Sequence, residues 1–252
     1  MDRAEKLLEL VRRAVERIPQ GSAVAFSGGL DSTLIAALAK EPVLYVVGTE
    51  NAPDIPAAKR AAEALGKEVT MIIVGEEEIK GAAEEIKKIL MNIEPTPEAR
   101  RARLPSMEPT KVSISFNMPL YFVCRHCTES TVVSAQGPDT MLGGFFKYLK
   151  MNKEEAMKEM KRDTEDLVSA GYLQHVAIGR HFGKRVVLPY LDKEVIDFLS
   201  RVPFEQRIRD GKRKWVLVEA AKLVLSKEIA EREKKSAQYG SGVMKFLRKK
   251  GT

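Results

Sequence analysis

An α/β fold is predicted, with three layers (α/β/α) around a mostly parallel central sheet and a helical C-terminal part. Three observations predict it. Short continuous apolar runs rich in Val and Ile recur at 23–26, 43–48, 69–74 and 131–134. Runs without polar alternation are those of strands buried on both faces, as in parallel sheets. Between the runs lie segments whose apolar residues repeat at helical spacing. Finally, 252 residues at 44% hydrophobic suffice for one sizeable core or two small ones, which excludes a disordered chain or a collagen-like fibre. Two cysteines are too few for a disulfide scaffold.

Taken in order, Leu7, Leu8, Val11, Ala14, Val15 and Ile18 form one apolar stripe, so residues 3–18 make an amphipathic helix that Pro19-Gln20-Gly21-Ser22 ends. Ala23–Phe26 is a strand, Ser27-Gly28-Gly29-Leu30-Asp31-Ser32 a Gly-rich turn, and a helix starting near Ser32 runs through Leu34–Ala39. The strands at 43–48 and 69–74 are followed by helices at 57–65 and 76–91. Residues 92–110, with Pro95, Pro97, Pro105 and Pro109 and with Arg100, Arg101 and Arg103, read as a long loop. The strand at 131–134 leads into a second Gly-rich turn, Gly137-Pro138-Asp139 and Gly143-Gly144. From about Met151 the pattern is mostly helical and more highly charged.

Ser27–Ser32 carries the strongest chemical signal. Adjacent glycines after a strand allow positive φ, so that successive N–H groups face one concavity, and the following helix adds its free N–H groups and positive dipole end. This is a seat for a polyphosphate, with Ser27 and Ser32 as hydroxyl donors and Asp31 as a carboxylate for Mg²⁺. No Lys-Ser/Thr follows the second glycine at Walker A spacing. The balance of 42 Lys+Arg against 35 Asp+Glu, net +7 with pI ≈ 9.3, suits an anionic partner without choosing one.

The hexapeptide SGGLDS resembles the signature of the PP-loop ATP pyrophosphatases. Residues 134–144 (SAQGPDTMLGG), Pro189-Tyr190-Leu191-Asp192, Lys214-Trp215-Val216-Leu217 and Arg232-Glu233-Lys234 with Gln238-Tyr239-Gly240-Ser241-Gly242 narrow the resemblance to the synthetase domain of asparagine synthetases. It looks closest to stand-alone archaeal relatives. The resemblance implies an adenine nucleotide alpha hydrolase-like fold over a single domain, 1–252, with a nucleotide-binding part at 1–150 and a mainly helical part at 151–252 that completes the site. It also implies an ATP- and Mg²⁺-dependent, AMP-forming ligase: a substrate carboxylate attacks ATP, pyrophosphate leaves, and ammonia or another amine displaces AMP.

Carried onto this chain, the resemblance has Asp31 and Asp139 share Mg²⁺, and Lys234, with Lys235 as fallback, stabilise the phosphates. Ala25, Val47 and Gly48 contact adenine. Ser27, Gly28, Gly29, Ser32, Ser134 and Gly137 complete the nucleotide site, and Asp139, Gln136 and Lys234 form the catalytic set.

Two features depart from the family pattern, and a third opens another route. Gln136 stands where asparagine synthetases have a glutamate, and an amide is no general base; Thr140 replaces another acidic residue. Residue 2 is Asp, where glutamine-using members have a nucleophilic Cys, so no glutaminase domain is expected and nitrogen comes as ammonia or from a separate glutaminase chain. Cys124-Arg125-His126-Cys127 places two thiols at i,i+3. The plainer reading of these is small side chains packed in the core. The other is a tRNA-modifying enzyme that thiolates or aminates through Cys124 and Cys127, to which the basic clusters Arg100–Arg103, Arg207–Lys214 and Phe246–Lys250 would add RNA contacts. Gln136 and Thr140 also leave open a nucleotide-binding subunit without catalysis.

No apolar run reaches the roughly 20 residues of a membrane span. With its charged amphipathic start, the chain is expected in the cytoplasm. High charge (31%) with only four Asn and five Gln points to a heat-adapted source.

Overall fold

A computed structural model describes residues 2–94, 109–232 and 237–248. Helix α1 (Arg3–Glu16) starts at a capping box, with the Asp2 side chain accepting from Arg3 N–H and Asp2 N–H donating to Glu5 Oε2 at 2.9 Å. Strand β1 (Ala23–Ala25) feeds α2 (Leu30–Leu38), β2 (Val43–Gly48) feeds α3 (Asp54–Ala64), and β3 (Val69–Ile73) feeds α4 (Glu76–Met91). After α5 (Lys111–His126) come β4 (Thr131–Val133) and the single turn α6 (Pro138–Met141). Helix α7 (Lys153–Asp166) continues through a π-helical turn, Leu167–Gly171, into α8 (Tyr172–His181), which leads to β5 (Arg185–Val187). Then follow α9 (Lys193–Ser200), α10 (Phe204–Arg207), the hairpin β6 (Ile208–Arg209) and β7 (Lys212–Arg213), and α11 (Trp215–Lys222). Three short helices complete the described chain: α12 (Lys227–Ala230), α13 (Ala237–Gly240) and α14 (Met244–Arg248).

Five strands form one sheet in the order β3-β2-β1-β4-β5, and each pairing is parallel. Successive strand side chains point to opposite faces, and the core divides accordingly. Val24, Leu44, Val46 and Val133 pack under α1, α2, α3, α9 and α11. Ala23, Tyr45, Val47, Ile72, Val132 and Val186 pack under α4, α5 and α8. The three-layer expectation is thereby met. A third cluster, Tyr148, Ala156, Met160 and Ile208, holds α7 and the hairpin together.

Several boundaries differ from the sequence reading. The first helix stops at Glu16 rather than residue 18, and the helix after SGGLDS begins at Leu30 rather than near Ser32. Strand β5, absent from the sequence reading, opens on the exposed Arg185 after Lys184 and is recruited by pairing with β4 through Thr131↔Arg185 and Val133↔Val187. Pro109 is the described part of the Pro/Arg-rich segment; Pro95, Pro97, Arg100, Arg101, Arg103 and Pro105 lie outside the described residues. Among the described residues, no helix is long and apolar enough to cross a membrane.

Candidate active site

The sheet order creates the site. Chain connections run from β1 towards β2 and β3 on one side, while β4 and β5 lie on the other. Open α/β sheets bind ligands outside the carboxyl ends of strands at such a reversal. Both Gly-rich turns emerge there, Ser27–Gly29 from β1 and Ser134–Gly137 from β4.

The first turn is held tightly. Gly28 has φ +65°, and a Cβ there would stand 2.5 Å from the Ala57 carbonyl oxygen of α3, so only glycine fits. Ser32 Oγ donates to Gly29 O (3.1 Å), lies 3.2 Å from Ser27 Oγ and accepts from Ser27 N–H at 3.3 Å. Arg232 Nη1 donates to Gly28 O at 2.8 Å. Tyr190, fully buried, donates its hydroxyl to Asp31 O at 3.1 Å. The second turn is equally constrained. A Cβ on Gly144 would fall 2.1 Å from Asp139 Oδ1 and 2.6 Å from its Cα, so the chain folds back directly over that carboxylate.

Between the two turns stands Lys214. Its Nζ lies 2.9 and 2.8 Å from Asp31 Oδ1 and Oδ2, and 2.9 Å from Asp139 Oδ1. Burial alone would depress the ammonium's pKa. The carboxylates of Asp139 and Asp31 outweigh it, and Lys214 titrates well above the ordinary lysine value. The two acids therefore converge on one cation, as their motif positions imply.

Sequence reasoning noted Lys214 within the KWVL stretch and gave it no role. A readable signal precedes it: Asp210-Gly211, with φ +50° and +75°, is the two-residue turn of a β-hairpin. That hairpin delivers Lys214 to the site in a left-handed conformation, φ +56° and ψ +36°, as the N-cap of α11. The conformation costs roughly 1 kcal/mol. Its backbone N–H donates to Leu142 O (3.2 Å), and Arg213 Nη1 donates to Gly144 O (2.8 Å), so the hairpin also braces the second turn.

These groups open onto a cleft lined by Ala25, Ser27, Asp31, Ser32, Val47, Ser134, Gln136, Gly137 and Asp139. All nine were singled out from sequence. Gly28, Gly29 and Gly48 shape adjoining backbone and do not line the cleft; at Gly48 a Cβ would meet the Ala52 side chain at 2.7 Å. Lys234 and Lys235 lie outside the described residues. Phe116, Pro119, Leu120 and Val123 of α5 supply an apolar wall. His175 also lines the cleft.

The basic cluster Arg207–Lys214 is not a uniformly solvated face. Arg207 is buried, donating to the carbonyl oxygens of Met141 (2.7 Å), Val202 (2.8 Å), Leu199 (2.9 Å) and Ser200 (3.2 Å). Arg209, Lys212 and Lys222 surround the Trp215 ring at 5.1–5.9 Å, so Trp215 is a cation–π platform.

Cys124 and Cys127 are buried in the core beneath α5. Burial pushes the Cys124 thiol up to about 12 and raises Cys127 as well, which removes the thiolate that sulfur transfer or metal binding needs. Among the described residues, no three His, Cys, Asp or Glu side chains group to hold a metal. Asp31 and Asp139 do fit Mg²⁺, which uses one or two carboxylates plus substrate phosphates. Their oxygens are hard donors already drawn together around one positive charge.

Comparison with known proteins adds a family. The model for the asparagine synthase family matches residues 5–187 and 152–250. A protein of Methanocaldococcus jannaschii named "Putative asparagine synthetase (glutamine-hydrolyzing) 1" is 27% identical over 292 residues, covering 99% of this chain and 50% of its own length. Asparagine synthetase (glutamine-hydrolyzing) of Gallus gallus is 29% identical over 237 residues, 87% of this chain and 39% of its own. The protein of the same name from Asparagus officinalis is 27% identical over 260 residues, 93% of this chain and 41% of its own. The chain thus spans half or less of the length of these curated relatives.

Proposed function

The chain belongs to the asparagine synthase family, and from that premise we propose that it is an ATP-dependent adenylating ligase. A substrate carboxylate oxygen attacks the α-phosphorus of ATP, the bond to the β-phosphate breaks, and its electron pair leaves with pyrophosphate. Ammonia or another amine then attacks the acyl carbon, and AMP departs. The reading rests on one observation, the meeting of Asp31, Asp139 and Lys214 between two Gly-rich turns.

In this proposal Ala25 and Val47 flank the adenine at the strand ends. Ser27, Ser32, Gly28 and Gly29 seat the phosphates with hydroxyl and backbone N–H donors, and Ser134 and Gly137 close the seat from the second loop. Asp31 and Asp139 would hold Mg²⁺, which would supply positive charge against that of the departing pyrophosphate. Lys214 Nζ is a fixed cation at the same place, and Lys234 is assigned the same task from the C-terminal segment. One domain, with residues 151–252 completing the site through Lys214, is part of the reading.

Exchange of labelled pyrophosphate into ATP tests it. The wild-type protein, given Mg²⁺ and a panel of small carboxylates beginning with aspartate, is expected to catalyse exchange, and Asp31→Ala to abolish it. Absence of exchange with every acid sinks the proposal.

A further inference from the structure

The adenylate's second step requires a place for the proton of the attacking nitrogen, and Gln136, an amide, takes none. His175 lines the same cleft, 4% exposed, on α8 one turn beyond the π-helical segment. Its Nδ1 lies 3.1 Å from the carbonyl oxygen of Gly171. A carbonyl only accepts, so Nδ1 carries the hydrogen and Nε2 carries the lone pair. Nε2 has no hydrogen-bond partner among the described residues.

Gln136 closes the same corner. Its Nε2 is 3.9 Å from the point where a Cβ on Gly171 would sit, and its Oε1 is buried without a partner among the described residues. Gln136 and His175 therefore both border Gly171 and line one cleft, each with an acceptor atom unmet among the described residues, and Phe116, Leu120 and Val123 line the same cleft.

The other ionisable groups lining the cleft are engaged. Asp31 and Asp139 hold Lys214, and Tyr45 donates to Glu129 at 3.1 Å. Asp54 packs against Gly240, where a Cβ would fall 2.3 Å from its Oδ1. His175 is the neutral nitrogen base that remains.

The geometry points to His175 as the catalytic base for the amine half-reaction, with Gln136 Oε1 as the second acceptor that orients the nucleophile. The assignment rests on the ligase reading above. It specifies the nucleophile as a neutral nitrogen with at least two N–H bonds, ammonia or a primary amine. One N–H is held by Gln136 Oε1 and another by His175 Nε2, which aims the nitrogen lone pair at the acyl carbon.

As the C–N bond forms, the carbonyl π pair moves to oxygen and nitrogen becomes cationic. Nε2 takes one proton from it. The oxyanion pair then returns, the C–O bond to the phosphate breaks, and AMP leaves with that bond's electrons. The imidazolium afterwards releases its proton to water. Burial, opposed by the Gly171 carbonyl, lowers the His175 pKa to about 4, so the ring is neutral at neutral pH and its Nε2 lone pair is not already protonated.

Two measurements test the assignment. The chain has three histidines, so the ¹⁵N spectrum of the full protein minus that of His175→Gln isolates the His175 ring. An unprotonated Nε2 is expected, shifting when ammonium chloride is titrated at alkaline pH. An Nε2 resonance that stays put overturns the proposal.

The second measurement compares His175→Gln and His175→Ala with the wild type, using aspartate and ammonium chloride as probes. Pyrophosphate exchange is expected to stay within about threefold, while amide formation falls by about 100-fold, the usual scale of a lost general base. Hydroxylamine, unprotonated at neutral pH, is expected to recover most of the lost rate. Equal falls in both half-reactions, or no fall in the second, reject a proton-accepting role. If the wild-type protein shows no exchange at all, it is the ligase reading that fails, and the ammonia-induced shift still decides whether this corner is a nitrogen site.

Discussion

Lys214 is the side chain on which the site's electrostatics turn. Lys214 Nζ offsets the mutual repulsion of the Asp31 and Asp139 carboxylates, and neutralising it removes that compensation from a largely buried place. Lys214→Met is therefore expected to reduce pyrophosphate exchange by at least about 100-fold and to lower stability by roughly 3 kcal/mol, read by urea titration. Gly144 provides a second residue-scale test. Its missing side chain lets Asp139 lie against the backbone, and a methyl group there would meet the Asp139 carboxylate oxygen at 2.1 Å and the fixed Asp139 Cα at 2.6 Å, so the carboxylate must swing away and the backbone give. Gly144→Ala is expected to abolish exchange, and the circular dichroism spectrum to remain that of the native fold. Retention of exchange would show that the carboxylate position is not what the reaction needs.

At the scale of elements, what was legible in the sequence follows from what each element contributes locally. Strands β1, β2 and β4 are largely buried on both faces and read as continuous apolar runs, whereas β3, at the sheet edge, buries Ile72 and leaves Met71 and Ile73 exposed, its run legible from Val and Ile content alone. The two Gly-rich turns were legible because positive φ and close backbone approach leave glycine as the residue that fits. Strand β5 was not: it is no shorter than β1 or β4, but it opens on exposed Arg185 after Lys184, and its strand character comes from pairing with β4. The place of His175 in the cleft was not legible, because it depends on a π-helical turn that no spacing rule marks. Lys214 was overlooked for a similar reason: a lysine inside a basic run looks like surface until the tertiary fold closes around it. The start of α2 was misplaced by two residues because Gly29, in an extended conformation, caps it without a side chain.

For the whole molecule, acidity is the sharpest probe. His175 titrates near 4 in the folded chain against an ordinary value of 6.5. Above about pH 6.5 the ring is neutral in both states and costs nothing. As pH falls from there towards 4, the unfolded chain takes up a proton that the native chain refuses, and stability falls by roughly 3 kcal/mol from this group alone. Below that range both states are protonated and the loss stops growing. Thermal unfolding followed from pH 7.5 to pH 4 is expected to show a falling midpoint, with a shallower fall in His175→Gln. Parallel curves would mean that the ring is not buried as described.

The hairpin before α11 has a further consequence. Its two-residue tip, Asp210-Gly211, sets how far the following backbone travels before it turns, so it serves as a gauge for the reach of the ammonium. Lengthening the tip by one glycine shifts the pairing of Ile208 with Arg213. The five-stranded sheet, whose last strand ends at Val187, is left untouched, and the expected product is a well-folded protein that no longer exchanges pyrophosphate. In evolutionary terms, insertions should be tolerated elsewhere on this surface and purged at that tip, although none of its residues touches the cleft.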